Sequence, residues 1–214
     1  MATDDKTAVI VRLDISPSCH PDTLRGDDPG TVCGRNALEQ LYKSIGQIND
    51  TAVKITDKGR LATAAQPFAE RALNVAGRSL ETLRSQIKKL DLEIGEMLVV
   101  PVDHSLQTEI RGHYKTAKSV LVDVKKAIDD GDIVSVSTVL RAPYFLSGLT
   151  SKNHALLRVM AAAKFAPAQV AHRDAAVTAL AKVEASVEWY TDTVATKIRG
   201  WADLDAVILN EELR

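Results

Sequence analysis

The residues able to act as ligands, bases or nucleophiles are few and scattered along the chain. Glu109 and His113 stand four apart, the spacing that puts two side chains on one helical face. A di-iron bundle needs paired Glu-x-x-His motifs, whose ligands project from adjacent turns into a common core. This chain offers no second copy, so His113 is read as a histidine at the edge of an apolar stripe. Cys19, His20 and Cys33 could supply three zinc ligands, but their C-H-x12-C spacing lacks the C-x2-C pairs that hold tetrahedral structural zinc. Two cysteines in 214 residues do not make a disulfide framework, and free thiols are expected. There is no G-x-x-x-x-G-K-[ST], no G-x-G-x-x-G after a strand and no G-x-S-x-G. Gly26, Gly30 and Gly34 recur every four residues, but in a polar stretch around Asp27-Asp28-Pro29-Gly30, where they read as turn residues. No catalytic, cofactor or metal site is predicted, and the expected protein is not an enzyme.

Two patterns point to partners instead. Arg111, Lys115, Lys118 and Lys125 recur at heptad-compatible spacing with Lys126 alongside. They form either the solvated face of an amphipathic helix or a basic stripe for an acidic or nucleic-acid partner. Asp123 and Asp129 close by, and Tyr114 as the lone interleaved aromatic, favour the solvated face. Among Trp189, Tyr190 and Trp201, Tyr190 falls on a helical seam and Trp189 beside it, so Trp189 is the candidate surface anchor.

The elements that must carry these residues are helices. Leu38, Leu41, Ile45, Ile48, Ala52 and Ile55 alternate spacings of three and four. Leu73, Ala76, Leu80, Leu83, Ile87, Leu90 and Ile94 continue the pattern in a second helix, which Pro67 is placed to start. A third carries Leu106, Ile110, His113, Ala117, Val120, Val124 and Ala127, stopped by Asp129-Asp130-Gly131. Asp132 can cap a short helix over Ile133 to Arg141, for which a strand is the alternative because Ile133, Val134, Val136, Thr138 and Val139 are β-branched. Thr150 or Ser151 caps the next helix, and Pro167 begins or kinks a long Ala-rich one through Leu180, Val183, Val187, Tyr190, Val194, Ile198 and Trp201. A short helix over Leu204 to Leu213 closes the chain. The prediction is an all-α, elongated bundle of about four long helices plus short ones, with seams of the 3.5-residue repeat that packs helices at shallow angles. That repeat is satisfied equally within one chain or between chains.

Residues 1 to 33 read as an extended N-terminal arm and 34 to 214 as the bundle domain. Within the arm, Val9, Val11, Leu13 and Ile15 alternate with Ile10, Arg12, Asp14 and Ser16, the period of one half-buried strand. An unpaired strand leaves backbone groups unsatisfied, so it pairs with the run from Leu98 to Val102, stays disordered, or adds to a sheet in another protein. Net charge is −1, apolar residues are 45% and charged residues 26%, which sets aside bulk attraction to nucleic acid or anionic lipid. The start MATDDKTAVIVRL is acidic where a secretory leader is basic, and no apolar run approaches a membrane span, so the expected location is the cytoplasm.

From Asp129 to Ala176 the chain combines four features: an acidic-Gly turn, a short helix ending at Ala142-Pro143, the turn Leu146-Ser147-Gly148-Leu149, and Ala166-Pro167 leading into a long helix. This stretch resembles small helical proteins encoded by tailed bacteriophages and prophages. The resemblance implies a virion or virion-assembly component and carries no functional residue. Together with the seams and the arm, it makes a non-enzymatic structural or assembly protein the expected function, with other subunits, in a homo-oligomer or larger assembly, as partners. A helical regulatory or nucleic-acid-binding module using the third helix is the alternative.

Overall fold

The computed structural model describes residues 12–203. Every regular element among them is helical. Two 3-10 turns, Pro17–Cys19 and Pro21–Thr23, precede α1 (Pro29–Lys54), α2 (Lys58–Met97), α3 (His104–Thr116), α4 (Val120–Asp130) and α5 (Ile133–Arg141). A 3-10 turn, Tyr144–Ser147, then leads to α6 (Ser151–Phe165) and α7 (Pro167–Tyr190), which continues through a π-helical segment, Thr191–Ala195, into helix up to 203. The short helix expected over 204–213 lies outside the described residues. The chain divides into two compact units: unit 1 holds residues 1–85 and 175–214, and unit 2 holds 86–174. This is not the expected division into arm and bundle.

Unit 1 is built on the seam of α1. Leu38, Leu41, Ile45 and Ile48 are fully buried, with Leu61, Ala65, Ala76 and Leu83 of α2 and Ala179, Val183 and Tyr190 of α7. The helix starts earlier than the sequence reading placed it. Asp28 is the N-cap, accepting from the Thr31 N–H at 3.0 Å, and Pro29 occupies the first turn, where its missing N–H costs nothing. Burial alone would raise the Asp28 carboxyl, but the hydrogen bonds it accepts from Thr31 and Gly30 hold it below its ordinary range. The apparent turn Asp27-Asp28-Pro29-Gly30 is thus a helix start, and Gly30 and Gly34 are helical.

Those two glycines are packing residues. A Cβ on Gly30 would lie 2.8 Å from both Cα and Cβ of Ala176, and one on Gly34 would lie 2.9 Å from Cβ of Ala179 and 2.8 Å from Cδ1 of Leu24. The first turns of α1 therefore meet α7 backbone to backbone, an approach that small residues at four-residue spacing permit. Across the same unit, the Tyr190 hydroxyl meets the Ser44 hydroxyl at 2.8 Å, and Ser44 in turn donates to the Leu41 carbonyl.

The described part of the arm is not a strand. Leu13 is buried, its N–H donates to Asn49 Oδ1 at 2.8 Å, and its carbonyl accepts from Asn49 Nδ2 at 3.0 Å. One amide side chain supplies both bonds that a neighbouring strand would have given. In the Leu98–Val102 run, the Val100 N–H donates to Ser137 Oγ.

Two further boundaries differ from expectation. Pro67 lies inside α2, not at its start; the cap is Asp57, which accepts from the Arg60 N–H at 2.7 Å. Pro67 is exposed, so its ring projects outward and only the bond to the Thr63 carbonyl is lost. The expected third long helix is two, α3 and α4, separated at Ala117–Ser119, where the Ala117 backbone turns extended. Gly148 sits against this break: a Cβ there would lie 3.6 Å from Val120 Cγ2 and 3.8 Å from the Lys115 Cα. Four long helices therefore reduce to three.

Unit 2 has its own core, in which Leu98, Tyr114, Val124, Ile128, Val136, Val139, Leu149 and Leu157 are buried together. α4 packs on α5 and α6. The Asp132 cap forms as read, accepting from the Ser135 N–H, and α5 is a helix despite its β-branched residues. Thr150 caps α6 in the same way. The ends of α4 and α5 are held by Lys164 Nζ on the Asp129 carbonyl and by the His154 ring on the Leu140 carbonyl. No helix among the described residues is long and apolar enough to cross a membrane.

Candidate functional site

Unit 2 carries two features that its own packing does not explain. The first is the 3-10 turn between α5 and α6. Pro143 starts it, and Gly148 ends it at φ 72°, a conformation that L side chains rarely adopt. Gly148 N–H donates to the Phe145 carbonyl and Leu149 N–H to the Tyr144 carbonyl, so the backbone is fixed. Ser147 and Leu149 point inward and are buried. The three residues before them point outward: Tyr144 is 43% exposed, Phe145 60% and Leu146 43%. The Tyr144 and Phe145 rings meet edge to face, with centroids 5.8 Å apart. A lone exposed apolar residue needs no explanation, but three large ones in succession on a fixed turn form a surface suited to burial against protein.

The second feature is a polar cavity of about 140 Å³ lined by Val100, Gln107, Arg111, Ser137, Thr138, Arg141 and Ala142. The first turns of α3 and the last turn of α5 build it. Arg111 Nε donates to the Gln107 carbonyl at 3.1 Å, and Gln107 Nε2 donates to the Val102 carbonyl at 2.7 Å, so both side chains are anchored at one point. Ser137 is buried and accepts from the Val100 N–H, which leaves its own O–H to donate. Thr138 is also buried, and its hydroxyl has no hydrogen-bond partner among the described residues. An unsatisfied buried hydroxyl costs about 1–3 kcal/mol, so this one calls for a reason. The lining holds two guanidiniums and no carboxylate.

The residues singled out from sequence are dispersed. Val9 and Val11 lie outside the described residues, Leu13 is core, Ile15 is half-buried, and Trp189 is half-buried on α7. The basic residues do not share one helix: Arg111 and Lys115 are on α3, Lys118 is in the break, and Lys125 is on α4. His113 is exposed, not at the core edge. Tyr114 takes the buried position, its ring edge-on to His113 at 5.5 Å, and burial pushes its phenol pKa up. Cys19 is buried and Cys33 half-buried, both as thiols. Burial raises the Cys19 pKa, which disfavours the thiolate. Among the described residues no group of three or more His, Cys, Asp or Glu is placed to hold a metal.

Sequence reasoning passed over both features of unit 2. In the sequence the turn is visible at Leu146-Ser147-Gly148-Leu149, with no sign that Tyr144 and Phe145 face outward. The cavity joins residues some thirty positions apart and has no local signal, apart from two polar residues, Ser137 and Thr138, inside an apolar helix. Unit 1 holds a cavity of about 260 Å³ lined mainly by Ala62, Ala69, Leu73, Ala195 and Ile198, with Gln66, Glu70 and Arg199 as its long polar side chains. It lies beside the π-helical segment. Comparison with family profiles, with curated proteins and with solved structures finds no match to this chain.

Proposed function

We propose that the protein is a non-enzymatic assembly protein that binds other protein subunits, copies of itself foremost, through the exposed turn of unit 2. The observation that carries this reading is the outward presentation of Tyr144, Phe145 and Leu146 on a backbone fixed by Gly148. A pre-organised apolar anchor loses little conformational freedom on docking, which favours it as an interface centre. With a formal net charge of −1, copies of the chain repel one another little. The turn lies within the stretch that resembles tailed-phage proteins, and a virion or virion-assembly role is the context this implies. Because Leu13 is buried in its own chain, the docking role passes from the arm to this turn.

Sedimentation at roughly 100 μM, where a micromolar contact is saturated, tests the proposal. The full chain is expected to self-associate, and a Tyr144→Ser, Phe145→Ser double variant to sediment as a monomer with unchanged helical circular dichroism. A full chain that stays monomeric, or a variant that associates equally well, removes the reading.

A further inference from the structure

We infer that the polar cavity of unit 2 binds a single phosphate group. Its volume of about 140 Å³ is well below the roughly 300–1,000 Å³ of pockets that enclose whole small molecules, so it suits one compact polar group. The charge of that group follows from the lining. Arg111 and Arg141 are permanently cationic, and no lining residue is acidic. The last turn of α5 brings about half a negative charge from its free carbonyls, which two full positive charges outweigh.

The number of donors selects phosphate over carboxylate. Arg111 uses its Nε on Gln107, and neither its terminal nitrogens nor any nitrogen of Arg141 has a partner among the described residues. Ser137 and Thr138 are too buried for their hydroxyls to be counted as donors to the cavity. The N–H groups of two guanidiniums by themselves exceed what two carboxylate oxygens accept in the plane of one group, whereas a phosphate presents oxygens in three dimensions. A purely structural role accounts for Arg141 alone, as a cation at a helix C-terminus, and leaves the ends of Arg111 without one.

Titration of the ¹⁵N-labelled full chain with inorganic phosphate, followed by amide and arginine side-chain shifts, tests the site. Saturable shifts are expected over residues 104–111 and 137–142, absent with chloride or acetate at equal ionic strength. Arg141→Gln, an exposed substitution, is expected to weaken binding at least tenfold, as is Arg111→Gln. Methyl phosphate distinguishes the sources: affinity equal to that of inorganic phosphate assigns the site to a phosphate monoester, and much weaker affinity assigns it to the free ion. A response that does not saturate, one that acetate reproduces, or one unchanged in Arg141→Gln overturns the proposal. So does binding of an oligonucleotide without binding of either small phosphate.

Discussion

Among the described residues, unit 1 turns most of its large apolar side chains inward and pairs its buried hydroxyls, whereas unit 2 leaves large apolar residues outside and buried hydroxyls unpaired. The large apolar residues exposed among those described in unit 1 are Val32, Val53 and Val177. Those of unit 2 include Leu92, Val122, Phe145, Leu156 and Val159, each at least half exposed. The buried side-chain oxygens without a partner among the described residues, on Thr138 and Ser147, are both in unit 2. In unit 1, by contrast, Ser44, Tyr190 and Ser186 all have partners. A half that satisfies itself internally is a scaffold, and a half that does not has surfaces and groups left over for something else.

The comparison can be broken most directly in the core of unit 1. Ile45→Ala, at a fully buried position, is expected to cost about 2–5 kcal/mol in urea unfolding; a cost under about 1 would mean unit 1 is loosely packed after all. Gly30→Ala comes next, since the new methyl would overlap the Ala176 backbone. Overpacking of about 1–3 kcal/mol is expected to exceed the gain of up to about 1 kcal/mol from helix propensity. Gly77→Ala, with nothing within 4 Å of its new methyl, supplies the control, and it should stabilise.

Hydroxyl removal sharpens the contrast because its sign should differ between the units. Tyr190→Phe loses a bond to Ser44 and is expected to cost about 1 kcal/mol, while Thr138→Val removes an unpaired group and is expected to be neutral or stabilising in phosphate-free buffer. Equal costs, read from denaturant midpoints, would erase the distinction. Burial also raises the phenol pKa of Tyr190, against the opposing bond from Ser44. The unfolded chain then loses this proton first, so stability should fall as pH rises past about 10. Stability of Tyr190→Phe measured across that range should fall less steeply. The smallest effect belongs to Phe145→Ser alone, an exposed position at which the isolated chain should change by no more than about 0.5 kcal/mol; a thermal melt showing a larger loss would make that ring part of the fold.

What the sequence made legible was local. Asp132, Thr150 and Pro167 mark helix starts through their own side chains or rings, and α5, α6 and α7 begin where these residues place them. The same chemistry at Asp28 and Pro29 was present but was outvoted by the glycines around it, which read as a turn. The break between α3 and α4 had no such mark, because the apolar spacing from Ile110 to Val124 runs through it and Ala117–Ser119 holds neither Pro nor Gly. It forms where the Gly148 turn packs, a contact that no window of sequence contains. The arm misled for a related reason: alternation at Leu13 and Ile15 signals an extended backbone, but not that Asn49 would supply its partner. Of the candidate site, only the existence of a turn at Leu146-Ser147-Gly148-Leu149 was legible, and neither its exposure nor the cavity was.

The meeting of Gly30 and Gly34 with Ala176 and Ala179 has a further consequence, for heredity and not for energetics. A Cβ on Gly30 would meet the Ala176 Cα as well as its Cβ, and one on Gly34 would meet Leu24 as well as Ala179, so a glycine in place of the alanine opposite does not make room. The two glycines are therefore expected to be kept by descent, while exposed positions such as Phe145 are expected to vary more freely. A chain that shares this scaffold should be recognisable by four small residues in that register even where little else is alike.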